Sequence, residues 1–240
     1  MVKLGISGVC GRMGRRIFEL ASTDRGFDVT LALERKGTSF IGRELGKLKI
    51  SSTPDGIFLI DVFIDFTSPE ATEVNLGYVA KYKKALVLGT TGLNEEQLAK
   101  IDEASKVIPI VYSPNMAVGM NTLFNILPEF ARRLCPEYAI EVIEAHHKGK
   151  KDAPSGTAKK IVQVLKGDTK QEIPIHSLRL GDIFGDHTVI FCGNSERIEI
   201  KHQAHSRDLF ALGALKAAKW IIGKPPGIYS MQDVLKTGNP

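Results

Sequence analysis

Cysteine is scarce in this sequence: Cys10, Cys135 and Cys192 are odd in number and far apart. They supply neither a disulfide framework nor a metal-ligand spacing, so no metal site is expected, and such sparse use suits a reducing cytoplasm. Long apolar runs are missing too. None approaches the ~20 residues of a membrane-spanning helix, and Gly8 and Arg12 interrupt the start before any secretory pattern forms. Charge of one sign is not concentrated. The net charge of +5 is mild and dispersed, which fits small anionic ligands and argues against a nucleic-acid footprint. Internal repeats and low-complexity segments are absent. What remains is a composition ordinary for a globular protein, with 43% hydrophobic and 25% charged residues, and 240 residues give room for two modest domains.

The first informative stretch is the start. Val2–Ser7 reads as a short buried strand. Gly8-Val9-Cys10-Gly11-Arg12-Met13-Gly14 follows, and a helical run spans Arg15 to Ala21. Strand, glycine-rich turn and helix make the opening of a dinucleotide-binding unit. Gly8 permits the tight turn, Gly11 the approach of a pyrophosphate, and Gly14 the packing of helix on strand. A second strand, Asp28 to Leu33, ends at Glu34, 20 positions after Gly14. An acid there accepts from the adenosine ribose hydroxyls. Arg35 follows and can hold a 2′-phosphate. The pair predicts use of both NADH and NADPH.

Further strands are expected at Val62–Phe66, Ala85–Leu88 and Pro109–Tyr112, with helices between them. Such alternation predicts a parallel sheet with helices on both faces, whose ligands lie beyond the carboxyl ends of the strands. Gly89-Thr90-Thr91-Gly92 and Ser113-Pro114-Asn115-Met116 fall at those ends. Taken blandly, they are a capped turn and an interdomain hinge.

Residues 144–157 carry the chemistry. Ala139–Ile143 alternates as a strand. His146 and His147 follow, then Lys148, Lys150 and Lys151. Pro154-Ser155-Gly156-Thr157 then opens a helix. The first turn of a helix has amides without intrahelical acceptors and a dipole favouring an anion. Imidazole titrates nearest neutrality and suits proton donation. Cations, a titratable ring and a carboxylate cradle together point to a small dianionic substrate in proton-coupled chemistry.

This stretch resembles the E-x-H-H-x-x-K-x-D-A-P-S-G-T signature of the 4-hydroxy-tetrahydrodipicolinate reductase (dihydrodipicolinate reductase) family, here Glu144, His146, His147, Lys150, Asp152 and Ala153–Thr157. The likeness continues through GRMG and LER near the start, although Cys10 stands where the family usually has a smaller residue. It covers GTTG, SPNM, the R-x-G-x-x-G-x-H run from Arg179 to His187, and the tail 228–235. The resemblance implies NAD(P)H-dependent reduction of the dihydrodipicolinate-type intermediate to tetrahydrodipicolinate, in the diaminopimelate route to lysine. It implies that Gly89, Thr90, Thr91, Ser113, Pro114, Asn115 and Met116 meet the nicotinamide half, and that the protein is a homotetramer.

On this footing His146 is the expected proton donor and Lys150 the supporting cation or a second donor. His147 holds the substrate, and Ser155, Gly156 and Thr157 grip a carboxylate. Asp152 orders the loop. His202 and His205 are expected to be structural or exposed. The Arg179–His187 run either shapes the substrate pocket or reaches across an interface.

After Asn115 the pattern changes. A long amphipathic helix, Val118–Leu134, precedes a strand at 137–144 and the 155–166 helix. Strand-like runs at 175–180, 188–192 and 197–202 follow, with few helices between. These predict a mixed or antiparallel sheet, and an oligomer would cover its open face. Asp208–Ile222 reads as a helix returning to the first domain. The expected organisation is α/β: a Rossmann-like domain of residues 1–114 and 215–240, with a C-terminal α+β domain of residues 115–214 for substrate binding and oligomerisation. Two rivals stand beside the reductase. One is another nicotinamide dehydrogenase acting on an amino or oxo acid. The other is a dinucleotide sensor without turnover.

Overall fold

The computed structural model describes residues 1–236. Residues 237–240, which the sequence assigns to the first domain, lie outside the described residues. The chain divides into two compact units, Met1–Ala117 with the chain from Asp208 onward, and Val118–Arg207.

In unit 1, β1 (Val2–Ser7), α1 (Arg12–Thr23) and β2 (Phe27–Leu33) follow one another. A small hairpin of β3 (Glu44–Leu45) and β4 (Leu48–Lys49) comes next, then a 3-10 turn at Ile57–Leu59. After it run β5 (Val62–Asp65), α2 (Pro69–Lys81), β6 (Ala85–Leu88), α3 (Glu95–Ser105) and β7 (Pro109–Tyr112). Unit 2 contains α4 (Val118–Leu134), β8 (Ala139–His146), α5 (Gly156–Lys166), β9 (Ile175–Arg179), β10 (Asp186–Cys192) and β11 (Arg197–Gln203). The chain re-enters unit 1 as α6 (Asp208–Trp220), β12 (Gly227–Tyr229) and α7 (Met231–Lys236).

The unit 1 sheet has the order β12-β7-β6-β5-β1-β2, and every pairing in it is parallel. Its central strands β5 and β6 are buried along their whole length, as a sheet covered on both faces requires. The core packs Ile60, Phe63, Leu86, Leu88, Ile108 and Ile110 together. The helices start where the sequence supplies caps. Ser68 accepts from the Ala71 N–H with Pro69 at the first helical position, and Asn94 and Gln97 form a reciprocal capping box on α3.

The returning helix α6 is held against α1 by a bidentate ion pair, Arg16 Nε and Nη2 to the Asp208 carboxylate at 2.5 and 2.7 Å. Lys219 bonds Asp24 at 2.6 Å and lies over the Phe27 ring at 4.7 Å. Those contacts begin at Asp208, so the whole of α6 belongs to unit 1, and the chain crosses there rather than at 214 and 215. The first crossing lies at Ala117 and Val118 rather than at 114 and 115. Met116 is why: it is buried, with its carbonyl oxygen packed where a Cβ on Gly213 of α6 would sit.

The unit 2 sheet has the order β11-β10-β8-β9. β8 and β11 pair antiparallel with β10, while β9 runs parallel to β8, so the sheet is mixed. Phe130 of α4 meets Phe191 of β10 with centroids 5.8 Å apart, placing α4 on the buried face. The opposite face carries Glu141, Ile143, Thr188, Ile190, His176 and Leu178, all exposed or half-buried.

Of the boundaries that depart from the sequence reading, β10 begins two residues before 188 and α6 ends two before Ile222, and two others have a visible cause. α1 begins at Arg12, because the Arg15 N–H already bonds the Gly11 carbonyl, so Gly14 lies within the helix. β8 starts and ends two residues later than 137–144. Residues 135–138 close α4, with the Tyr138 N–H on the Leu134 carbonyl, and the added residues at the far end bring His146 into the strand. Among the described residues no helix is long and apolar enough to cross a membrane.

Candidate active site

In unit 1 the segments singled out from sequence all leave the carboxyl ends of the parallel strands. Gly8 takes φ +66°, and a Cβ there would meet Thr67 Cγ2 at 2.8 Å. A Cβ on Gly14 would stand 2.1 Å from the Gly8 carbonyl oxygen, so only glycine lets α1 sit this close to the turn. α1 has Gly11 at its N-cap, no side-chain cap and no acid in its first turn. A helix head with no side-chain cap and no acid in its own first turn fits a pyrophosphate.

Val9 is buried, Cys10 and Met13 are half-buried, and Gly11 and Arg12 are exposed. Glu34, just past β2, accepts from the Cys10 N–H at 3.0 Å and from the Arg35 N–H at 2.9 Å. The acid is thereby tied to the glycine loop, with Arg35 exposed beside it. Burial, with Glu34 adding to it, pushes the Cys10 thiol up.

Beneath these loops lies a polar network that sequence reasoning missed. Asp65 is fully buried at the end of β5. It accepts from the Thr67 N–H at 3.0 Å, the Thr67 hydroxyl at 2.5 Å and Asn75 at 2.9 Å, and Asn75 also donates to the Ser7 hydroxyl at 3.0 Å. Thr90 joins it, accepting from the Thr67 N–H at 3.1 Å and the Thr72 hydroxyl at 2.9 Å. Burial pushes the Asp65 carboxyl up, while the Asn75 and Thr67 donors act the other way. Thr90 is thus committed to structure. Gly89 donates to the Asp65 carbonyl at 2.9 Å, and Thr91 is exposed. After β7 the Ser113 hydroxyl donates to the Asn115 carbonyl at 2.7 Å, and Asn115 Oδ1 accepts from the Ala117 N–H at 2.9 Å. Pro114 is exposed, and Met116 is buried.

In unit 2 the signature folds around one carboxylate. Glu144 has no exposed surface. Arg179 clamps it, Nη1 to Oε2 at 2.9 Å and Nη2 to Oε1 at 2.8 Å. His146 Nδ1 bonds Oε2, and the Ser155 N–H donates to Oε1 at 3.3 Å. Burial pushes this carboxyl up, but hydrogen bonds from Arg179, Ser177 and His146 outweigh it and hold it at about 2. His146 is buried, and burial lowers its pKa. Glu144 acts against that shift, whereas Lys150 and Arg179 act with it.

Ser155 caps α5, its hydroxyl accepting from the Ala158 N–H at 3.2 Å, and it bonds His187 Nε2 at 3.2 Å. His187 meets the His146 ring edge-on at 5.3 Å. Burial, aided by His146, drives its pKa down to about 4. Gly156 is exposed at the head of α5, with Thr157 half-buried beside it. Lys150 Nζ bonds Asp152 Oδ1 at 2.8 Å, which lowers the Asp152 pKa. The backbone of His147 bonds the Ile183 carbonyl at 2.7 Å.

The structure therefore brings His146, Ser155 and the head of α5 together, with Lys150 in the connecting loop. It adds Glu144, Arg179 and His187, which the sequence shows only as members of motifs. Among the described residues no His, Cys, Asp and Glu group is arranged to hold a metal.

Residues 2–116 match the family model described as "Dihydrodipicolinate reductase, N-terminus", and residues 119–235 match "Dihydrodipicolinate reductase, C-terminus". A 4-hydroxy-tetrahydrodipicolinate reductase of Geotalea uraniireducens is 41% identical, the alignment covering 98% of this chain and 99% of its own. The reductase of the same name from Geobacter sulfurreducens is 40% identical, with the same coverage. Among solved structures, a dipicolinate-bound dihydrodipicolinate reductase from Paenisporosarcina sp. TG-14 superposes with TM-score 0.77 at 22% identity, covering 96% of this chain and 97% of that one. An amine dehydrogenase from Mycobacterium smegmatis gives TM-score 0.64 at 13% identity, covering 97% and 95%. At these identities the structural likeness shows the fold alone.

Proposed function

The chain belongs to the dihydrodipicolinate reductase family, and on that premise we propose that it reduces 4-hydroxy-tetrahydrodipicolinate, the dihydrodipicolinate-type intermediate, to tetrahydrodipicolinate in the diaminopimelate route to lysine. It is an oxidoreductase using a nicotinamide cofactor. The observation that carries the reading is family membership across both halves, with the His146–Lys150–Ser155 constellation intact. Fold likeness to an amine dehydrogenase does not separate the reductase from its dehydrogenase rival. The 144–157 signature does.

The reduced nicotinamide cofactor would be held at the head of α1 and by Glu34 at the ribose, and supplies a hydride when bound. The substrate loses its 4-hydroxyl with a neighbouring hydrogen as water, and the dihydro ring so formed needs that hydride and one proton. His146 gives that proton, and solvent returns it. The Lys150 ammonium offsets the negative charge that gathers on the ring, with Asp152 ordering the lysine at 2.8 Å. The head of α5, with Ser155, Gly156 and Thr157, holds one substrate carboxylate, and His147 supports the other. Ser155 contributes mainly by shaping the helix head, because its hydroxyl already serves Ala158 and His187.

Use of both NADH and NADPH is supported by Glu34 beside an exposed Arg35. A homotetramer and a cytoplasmic setting complete the reading. The half-open outer face of the unit 2 sheet supports the first, and the three free cysteines support the second.

The decisive assay adds enzymatically generated dihydrodipicolinate to the protein with NADPH and follows absorbance at the nicotinamide band. Rapid, substrate-dependent oxidation is expected. Absence of turnover would leave the sensor reading. Oxidation with oxo acids and ammonia instead would favour the dehydrogenase.

A further inference from the structure

Resting on that reductase reading, we infer that Glu144 is a positioning residue for the reaction. Its buried carboxylate, clamped by Arg179, fixes the His146 ring with Nδ1 protonated, so that proton exchange runs through Nε2 alone, and ties the ring to the head of α5.

A carboxylate without exposed surface persists only when its lone pairs are matched. Here the matching is divided. Oε2 takes Arg179 Nη1 and His146 Nδ1, whereas Oε1 takes Arg179 Nη2 and the Ser155 amide. The residues it joins, His146 and Ser155, are the two ends of the loop that carries Lys150. One anion therefore sets the spacing between proton donor and carboxylate cradle. Arg179 Nη2 also donates to the Asp152 carbonyl at 2.6 Å, fastening the middle of the same loop.

A structural ion pair would need only the arginine. The third donor, an imidazole N–H on the same oxygen, distinguishes this arrangement, because an acceptor at Nδ1 selects the tautomer and steadies the imidazolium. The guanidinium in turn keeps Glu144 anionic, so the carboxylate orients the ring without taking its proton. At the far side of the ring a Cβ on Gly185 would lie 3.0 Å from Nε2, and glycine leaves that nitrogen uncrowded. The groups facing His146 are Glu144 on its own strand, Lys150 in the loop, Arg179 on β9 and His187 on β10. Of these only Glu144 favours the charged ring. The Arg179–His187 run thus acquires a purpose: Arg179 secures Glu144, Gly185 clears Nε2, and His187 steadies Ser155.

The test combines kinetics with 15N-histidine NMR on the full-length wild type, Glu144→Gln and Arg179→Lys. Wild-type His146 should appear as the Nδ1–H tautomer, and Glu144→Gln should show mixed tautomers. In Glu144→Gln, kcat should fall about a hundredfold or more at pH 7.5, with the KM for NADPH within threefold of wild type. The limb of kcat that falls towards high pH should move at least one unit lower, because the only group raising the imidazole pKa is gone. Arg179→Lys keeps a cation and should lose about tenfold or less, with mixed tautomers at His146. If Glu144→Gln does not fold, the wild-type tautomer and Arg179→Lys decide. An Nε2–H tautomer in wild type, an unmoved pH limb in Glu144→Gln, or an unmixed Nδ1–H tautomer in Arg179→Lys would overturn the inference. A wild type with the expected tautomer but no turnover would instead sink the reductase reading alone.

Discussion

Glu144 and His187 titrate in separate windows because burial meets different partners at each. The unfolded chain protonates the His187 imidazole near 6.5 and the folded chain only near 4. Between those values the unfolded state binds more protons, so stability falls as pH drops from about 6.5 to 4, by up to about 3 kcal/mol. Glu144 works lower: its stabilisation is complete above 4.5 and is lost as pH falls through about 2. Urea midpoints at pH 7 and 4.5 should lie closer together in His187→Gln than in wild type. An unchanged gap would remove His187 as the responsible group. At the same scale, His146→Gln and Lys150→Ala should each lower kcat by about 10²–10³ with little change in the substrate KM. Near-normal kcat in both would refute their roles.

The nucleus of the proposed site was legible in sequence, because His146, Lys150 and Ser155 fall within ten consecutive residues. Glu144 stood in the same motif without a readable part. Its clamp lies 35 residues on, and only the parallel β8–β9 register sets Arg179 opposite His146, which no local pattern encodes.

Strands and helices followed the apolar pattern closely where burial is complete, as in β5 and β6, and poorly where elements are short. The β3–β4 hairpin has two residues a side, too few to show alternation. Asp65 escaped for a related reason. It falls inside the expected strand Val62–Phe66 with no local sign of a polar role, while its partners Asn75 and Thr90 come from α2 and from the loop after β6. Two glycines separate packing from ligand approach. Gly14→Ala forces a Cβ to 2.1 Å from the Gly8 carbonyl, so it should cost about 1–3 kcal/mol and weaken NADPH binding. A Cβ on Gly156 meets nothing within 4 Å. Gly156→Ala should keep the melting temperature and raise only the substrate KM, and a fall in melting temperature there would contradict the assignment of open space to a ligand.

Over the whole molecule, the expectation of a Rossmann-like half followed by a mixed-sheet half was readable from the change of strand spacing after Asn115. The crossing points were not, since they depend on α6 meeting α1 through Arg16 and Asp208. Light scattering should give four times the chain mass. A monomer would leave Ile143, Ile190 and Leu178 without the proposed cover. The two cofactors should differ in kcat/KM by less than about a thousandfold, roughly 4 kcal/mol, and a wider gap would defeat the paired role of Glu34 and Arg35.

The return of α6, β12 and α7 to unit 1 also orders events on the ribosome. Unit 2 is one uninterrupted stretch and can consolidate as soon as residue 207 clears the exit tunnel. The nucleotide-binding sheet must wait for its edge strand β12, which is made last. Although it is encoded first, the Rossmann half is the later of the two to mature, and a nascent chain stalled soon after unit 2 emerges would carry a finished unit 2 and a parallel sheet still missing its final strand.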